Sequence, residues 1–231
     1  MATVALIGPD GVGKTTLAEG LLADDSLQLK YLYMGMSIES SNVALPTSRL
    51  AHRVKVAQHR RSLRRSGQAV PSEINLHGVE HRSDRRGRLG AIARLLRRVS
   101  EESYRQAVSW IYQRRGHVVL YDRHFLFDSL PMPAGRKQPR RLTDRIHIWF
   151  LYRLYPRPDL VILLDAPPEV LYARKQEVPM AYLQADREAL AAKCEYAKKC
   201  VRVEASGPYD QVLAAVTEVI VEHHGRRRAH G

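Results

Sequence analysis

The chain has 231 residues, 45% of them hydrophobic, which is enough for one sizeable α/β domain and excludes a disordered polypeptide. No apolar run is long enough to span a bilayer and no basic-then-apolar leader precedes the first strand, so a cytoplasmic location without a membrane is expected. The formal charge is +13, and fourteen Lys/Arg against three Asp/Glu between Arg49 and Arg98 account for most of it, which favours an anionic partner.

Thr3–Ile7 is a short apolar run that reads as a buried strand. Gly8, Pro9, Asp10, Gly11, Val12, Gly13, Lys14 and Thr15 then match G-x-x-x-x-G-K-[ST]. From Thr16 onward, Leu17, Leu21 and Leu22 mark a helix. Strand, glycine loop and helix form a phosphate cradle. Glycines let backbone N–H groups turn around an anion, and the helix points its positive end at it. Lys14 can reach the β- and γ-phosphates of ATP, and the Thr15 hydroxyl can sit on Mg²⁺.

Further strands are expected at 28–33, 117–121, 159–165 and Cys200–Glu204. Helices are expected at Leu142–Leu154, Pro168–Lys175, Asp186–Lys199 and Tyr209–Glu222, with a frayed basic tail from His223. Alternating strands and helices predict a doubly wound five-stranded parallel α/β sheet. The interval 35–99 breaks the rhythm. It carries helical character at Arg49–Arg65 and Leu89–Val99, around a Gly/Ser/Pro/Arg-rich segment Ser66–Arg88 that reads as a loop. Cys194 and Cys200 stand six apart, a helical spacing that puts them on different faces, and read as ordinary thiols.

Asp122-Arg123-His124 follows the third strand, and ligands of open parallel sheets bind beyond the carboxyl ends of strands. There Asp122 can hold Mg²⁺ or its waters and Arg123 can neutralise a moving phosphoryl group; the bland alternative is a surface salt bridge. His124 is expected to position or pack rather than act as a base. Arg174 and Lys175 close a helix and could meet phosphates from a lid over 174–188, or simply complement the helix end. Ser206 and Gly207 lie in a small-residue turn that could face adenine or merely join strand to helix.

Together these blocks resemble the thymidylate kinase family of P-loop kinases. Gly8 to Thr16 reproduces its loop, including Asp10, and Asp122-Arg123-His124 stands for its Asp-Arg-aromatic motif. Pro158 to Glu169, followed by Arg174, matches a third block, and Val203 to Val212 a fourth. The likeness covers 1–33 and 116–222. It implies a single P-loop kinase domain over 1–231, with an acceptor-side helical insertion at 35–99 and a lid. The implied reaction moves the γ-phosphoryl group of ATP to a nucleoside monophosphate, dTMP first, with Mg²⁺ held by Thr15 and Asp122. Asp10 would lie between donor and acceptor. Lys14, Arg123 and Arg174, with Lys175, would surround the transferred group, and Thr16, Ser206 and Gly207 would complete the ATP site.

The chain departs from the family after the second strand. Tyr33-Met34-Gly35-Met36-Ser37 replaces the usual Arg-Glu-Pro turn. Arg60, Arg61, Arg64 and Arg65, with His124, are the candidates for holding a phosphorylated acceptor. The rival readings are a kinase of the same fold for a sugar, nucleoside or polynucleotide end, and a nucleotide-binding regulator that grips nucleic acid through the insertion. The insertion has few aromatic residues for stacking on bases, which disfavours the last. A homodimer is compatible with each reading.

Overall fold

A computed structural model describes residues 2–24, 27–35, 41–66, 88–129, 141–176 and 179–229. Five strands form one all-parallel sheet: β1 (Thr3–Ile7), β2 (Leu29–Tyr33), β3 (Val118–Asp122), β4 (Leu160–Asp165) and β5 (Cys200–Glu204). Their spatial order is β2-β3-β1-β4-β5. β1 lies between β3 and β4, with Leu6 level with Asp122 on one side and Ile162 on the other. The carboxyl ends of the three central strands therefore open at one edge.

β1, β3 and β4 are buried at every residue, because helices cover both sheet faces. On one face Val4, Leu6, Leu120, Ile162 and Leu164 pack against Leu17 and Leu21 of α1 (Lys14–Leu22). Val216 and Ile220 of α8 (Tyr209–Ala229) complete that layer. On the other face Ala5, Ile7, Val119, Tyr121, Val161 and Leu163 meet Phe127, Leu151 and Leu190. Each of these larger aliphatic side chains contributes about 1.5–3 kcal/mol on burial.

The covering elements on that second face are α3 (Arg88–Arg114), α4 (Phe125–Ser129), α5 (Leu142–Arg153) and α7 (Met180–Lys193). α2 (Pro46–Arg65) precedes them, and α6 (Pro168–Arg174) joins β4 to α7.

Several boundaries differ from the sequence expectation. The helix expected at Leu89–Val99 continues to Arg114, because Glu101, Glu102, Arg105 and Ser109 are buried polar residues that each find a hydrogen-bond partner inside the fold. A polar run of this kind hides a buried helix from a hydrophobicity reading. α7 starts at Met180, after Pro179, rather than at Asp186. The terminal helix runs on to Ala229, where fraying was expected. The expected loop Ser66–Arg88 lies outside the described residues except at its ends, as do Glu177, Val178 and the last two residues.

The two cysteines are not ordinary thiols: Cys194 and Cys200 are disulfide-bonded. They share no helix. α7 ends at Lys193, a single turn of 3₁₀ helix spans Cys194–Tyr196, and the chain then doubles back into β5. That reversal brings their Cα atoms to 5.7 Å, inside the range a disulfide requires.

Candidate active site

The loop between β1 and α1 turns through Gly11 and Gly13 at φ 85° and 95°, a left-handed conformation open to glycine at little steric cost. It delivers Lys14 to the first position of α1. The Lys14 ammonium is buried and donates to the Gly8 and Pro9 carbonyls, both at 2.8 Å. Thr15 and Thr16 follow on the exposed first turn. Burial pushes the Lys14 ammonium down to about 8, and the nearby Arg123 cation pushes the same way.

β3 ends facing this loop. Asp122 is buried and accepts a 2.9 Å hydrogen bond from the Tyr31 hydroxyl on β2. Arg123 has φ 65°, an uncommon conformation for a residue with a side chain. Its backbone N–H is held by the Leu6 carbonyl, and its guanidinium reaches the Asp10 carboxylate at 2.8 Å. Burial works to raise the Asp10 carboxyl, but Lys14 and Arg123 outweigh it and hold the group below its usual range. Burial works to lower Arg123, and the Asp128 and Asp10 carboxylates outweigh that and raise it.

Lys175 also comes to the loop. Its Cβ would lie 3.4 Å from a Cβ on Gly11, and its charge acts on Asp10. Arg174, expected beside it over the phosphates, points elsewhere. Its guanidinium donates to the Ala205 carbonyl at 2.9 Å and the Ser206 carbonyl at 3.5 Å. Successive residues at the end of α6 thus diverge, Lys175 to the phosphate loop and Arg174 to the β5–α8 turn with Ser206 and Gly207.

His124 cannot contact an acceptor. It is fully buried among the rings of Tyr121, Phe127 and Tyr155, at centroid distances of 5.5, 5.8 and 5.6 Å. Its Nδ1 accepts from the Leu126 N–H, and burial lowers it to about 3, so the ring is neutral. It packs the turn that aims Arg123. The four arginines proposed for the acceptor are not gathered at the loop either. Arg60, Arg61, Arg64 and Arg65 are exposed on the last turns of α2. The first of them stands roughly 21 Å along the axis from Pro46. The charges that act most on Asp10, Lys14 and Arg123 come from Asp122, Asp128, Lys175 and one another.

Other residues surround the site that no motif announced. Asp128 on α4 is partly buried, and burial pushes its carboxyl up to about 6 against the pull of Arg123 and Lys14. Its place five residues beyond Arg123 was masked by the apolar run Phe125-Leu126-Phe127. Asp186 on α7 is raised by burial and then by Asp10. Buried Lys193 donates to the Phe127 carbonyl at 2.7 Å and ties α7 to α4. At the end of β4, Asp165 accepts two bonds from Arg187, at 2.7 and 2.9 Å, and another from Arg202. Arg105, buried in α3, pairs with Glu101 at 2.9 Å and donates to the Tyr33 and Gly35 carbonyls at 3.2 and 2.8 Å. It thereby fixes the chain where it leaves β2.

Among the described residues no group of three or more His, Cys, Asp and Glu side chains is placed to hold a metal, and no helix is long and apolar enough to cross a membrane. No family model and no curated protein matches the chain. In three dimensions it is similar to a deoxyadenosine kinase from M. mycoides, whose structure carries the products dCMP and a flexible dCDP. The two align over 95% of this chain and 99% of the other, with a TM-score of 0.52 and 13% sequence identity. Likeness at that identity is evidence of fold rather than of substrate. With the sheet order and the phosphate loop, it shows that the chain has the α/β fold of a P-loop kinase.

Proposed function

We propose that this chain is an ATP-dependent phosphotransferase whose acceptor is a nucleoside monophosphate, with dTMP the first candidate. One observation supports the reading: two cations from different elements, Lys14 at the start of α1 and Arg123 just beyond β3, converge on one loop whose backbone is shaped to bind phosphate. The loop N–H groups and Lys14 hold the β- and γ-phosphates of ATP. Arg123 faces the γ-phosphoryl group from the acceptor side, and Asp10 holds its guanidinium in place. An oxygen of the acceptor phosphate forms a bond to the γ-phosphorus as the bond to the β-phosphate oxygen breaks, and ADP leaves. Positioning and charge neutralisation supply most of the catalysis in such a transfer.

Thr15 and Asp122 suit Mg²⁺, since both offer hard oxygen donors, and this ion commonly takes one or two protein ligands while keeping waters. Mg²⁺ would neutralise charge on the β- and γ-phosphates. Lys175 adds a third cation beside the loop, and Arg174 with the Ser206–Gly207 turn serves the nucleoside end of ATP.

A second reading, transfer to a hydroxyl of a nucleoside or sugar, is favoured by Asp128. Its carboxyl near pKa 6, close to Lys14 and Arg123, could accept a hydroxyl proton, which a phosphate acceptor does not require. Incubation with γ-labelled ATP and Mg²⁺ against a panel of nucleoside monophosphates, nucleosides and sugars tests both. Label on a monophosphate, lost in Lys14→Ala, supports the first. Label only on hydroxyl acceptors replaces it with the second. Absence of transfer to every acceptor, with tight salt-sensitive retention of nucleic acid, would sink both.

A further inference from the structure

Hydrophobic burial does not account for α2. Its start is fastened to the body: the Leu45 N–H donates to the Glu101 carboxylate at 3.1 Å, and Arg49 donates to the Asn42 carbonyl at 2.9 Å. Ser48 is its one buried residue. A helix without a buried face relies on ion pairs between successive turns. α2 cannot make them within itself, for its sequence holds Arg and Lys but no Asp or Glu. Arg49 and Arg53, Arg60 and Arg64, and Arg61 and Arg65 stand four apart, so each pair repels across one turn. Among the described residues no carboxylate pairs with Arg53, Arg61, Arg64 or Arg65. A polyanion would relieve that repulsion.

The exposed arginines are not spread evenly round the helix. At helical spacing Arg53 and Arg60 fall within about 20° of each other along one edge, and Arg61 and Arg65 within about 40° along another. Roughly 110° separates the two edges, and about 18 Å of axis separates Arg53 from Arg65. Between the edges face Leu50, Ala57 and Arg64, all exposed, while the half-buried Val56, His59 and Leu63 take the opposite side. The outer side of α2 therefore carries two basic borders around a centre that is apolar in its first half.

Two basic borders fit a polyanion that presents charge on both sides of a channel. The major groove of duplex DNA is about 12 Å wide, admits one α-helix and is walled by the phosphates of both strands. A lipid surface fits less well, because a helix lying on it needs an apolar face along its length. The exposed apolar side chains Leu50 and Val54 stop in the first half of α2, and Arg60, Arg61, Arg64 and Arg65 crowd its end. Single strands are gripped by stacking on aromatic rings, and α2 has no Phe, Tyr or Trp. We propose that α2 docks in the major groove of duplex DNA, with Arg53 and Arg60 on the phosphates of one wall and Arg61 and Arg65 on those of the other. Contacts of this kind are to the backbone, so the docking is not selective for sequence. It is also independent of phosphoryl transfer at the phosphate loop.

The test is the fluorescence anisotropy of a labelled duplex DNA of about 20 base pairs, titrated with the full chain without ATP from about 50 to 300 mM NaCl. The expected Kd is in the micromolar range at the lowest salt, and log Kd should rise with log salt at a slope of about 3–4, from four phosphate contacts. Changing Arg53, Arg60, Arg61 and Arg65 together to Gln should weaken binding about 30-fold or more and flatten the slope by about 3. Lys at the same four positions should restore it to within about threefold. Gln favours helix and removes repulsion, so far-UV circular dichroism should be unchanged. Arg53→Gln with Arg61→Gln, one from each border, decides alone if the fourfold variant misfolds. Arg145→Gln with Arg153→Gln, at exposed positions on α5, should leave the Kd within about twofold. No binding at the lowest salt, or an affinity that the α2 variants leave intact, overturns the proposal. So does a loss that the α5 variant reproduces, or tighter binding to single-stranded DNA, duplex RNA or anionic phospholipid vesicles than to the duplex.

Discussion

Arg123 at the end of β3 reaches Asp10 in the phosphate loop at 2.8 Å, joining residues 113 positions apart. The contact joins the two motifs to which the proposed function assigns the chemistry, and the left-handed backbone at Arg123 is what aims the side chain across the site. In the proposed reaction the Arg123 cation faces the transferring group, so Arg123→Ala is expected to lower kcat more than it raises KM for ATP. Arg174→Ala should do the reverse, raising KM with a smaller loss of kcat, since its guanidinium sits on the Ala205–Ser206 turn. Steady-state kinetics of the two variants separate these roles, and an equal kcat loss in both would refute the division.

Lys14→Ala should abolish transfer while the fold persists. Removing a cation from the transferring group costs on the order of a thousandfold or more in rate. Burial already disfavours the Lys14 ammonium, so the thermal midpoint should stay level or rise. Turnover near that of the parent would end the kinase reading.

Arg187 and Arg202 converge on Asp165, whose carboxylate is nearly fully buried. Arg187→Ala is expected to cost about 1–3 kcal/mol in urea unfolding, through the loss of a charged hydrogen-bonded pair. Asp165→Ala should cost more, since it leaves two arginines without their shared acceptor. A smaller effect for Asp165→Ala would show that the arginines, not the carboxylate, are replaceable by solvent.

His124 makes stability sensitive to pH. Its folded pKa near 3 lies below the ordinary 6.5, so between these values the unfolded chain binds the extra proton. Its contribution is present above about pH 6.5 and is lost as pH falls towards 3, on the order of 4 kcal/mol over the window. Asp128 runs the opposite way: its folded pKa near 6 exceeds 3.8, so it costs stability as pH rises through that interval. His124→Asn retains an acceptor for the Leu126 N–H and does not titrate. Denaturation curves from pH 4 to 6.5 should show a flatter acid limb in the variant, and an unchanged slope would remove His124 as the cause.

The phosphate loop was legible in the sequence because its chemistry is local: eight consecutive residues, a preceding apolar strand and a following helix set it. The same holds for the buried strands, whose β-branched and leucine-rich runs announce β1, β3 and β4 without reference to any partner. Only the tertiary structure decided which charged residues meet. Asp128, Asp186 and Lys193 come from α4 and α7, far apart in the chain, and their convergence depends on how those helices pack over the strand ends. Arg105 was hidden for a related reason, since a buried arginine reads as a solvated one until its carbonyl partners at and just beyond the end of β2 are known. His124 and the cysteines show the limit from the other side. The sequence leaves His124 between a packing role and a place at the acceptor and sets the two thiols apart, while burial and a chain reversal at Cys194–Tyr196 determine both. Motifs fix local backbone and chemistry; the direction of a side chain and the partner it meets depend on long-range packing.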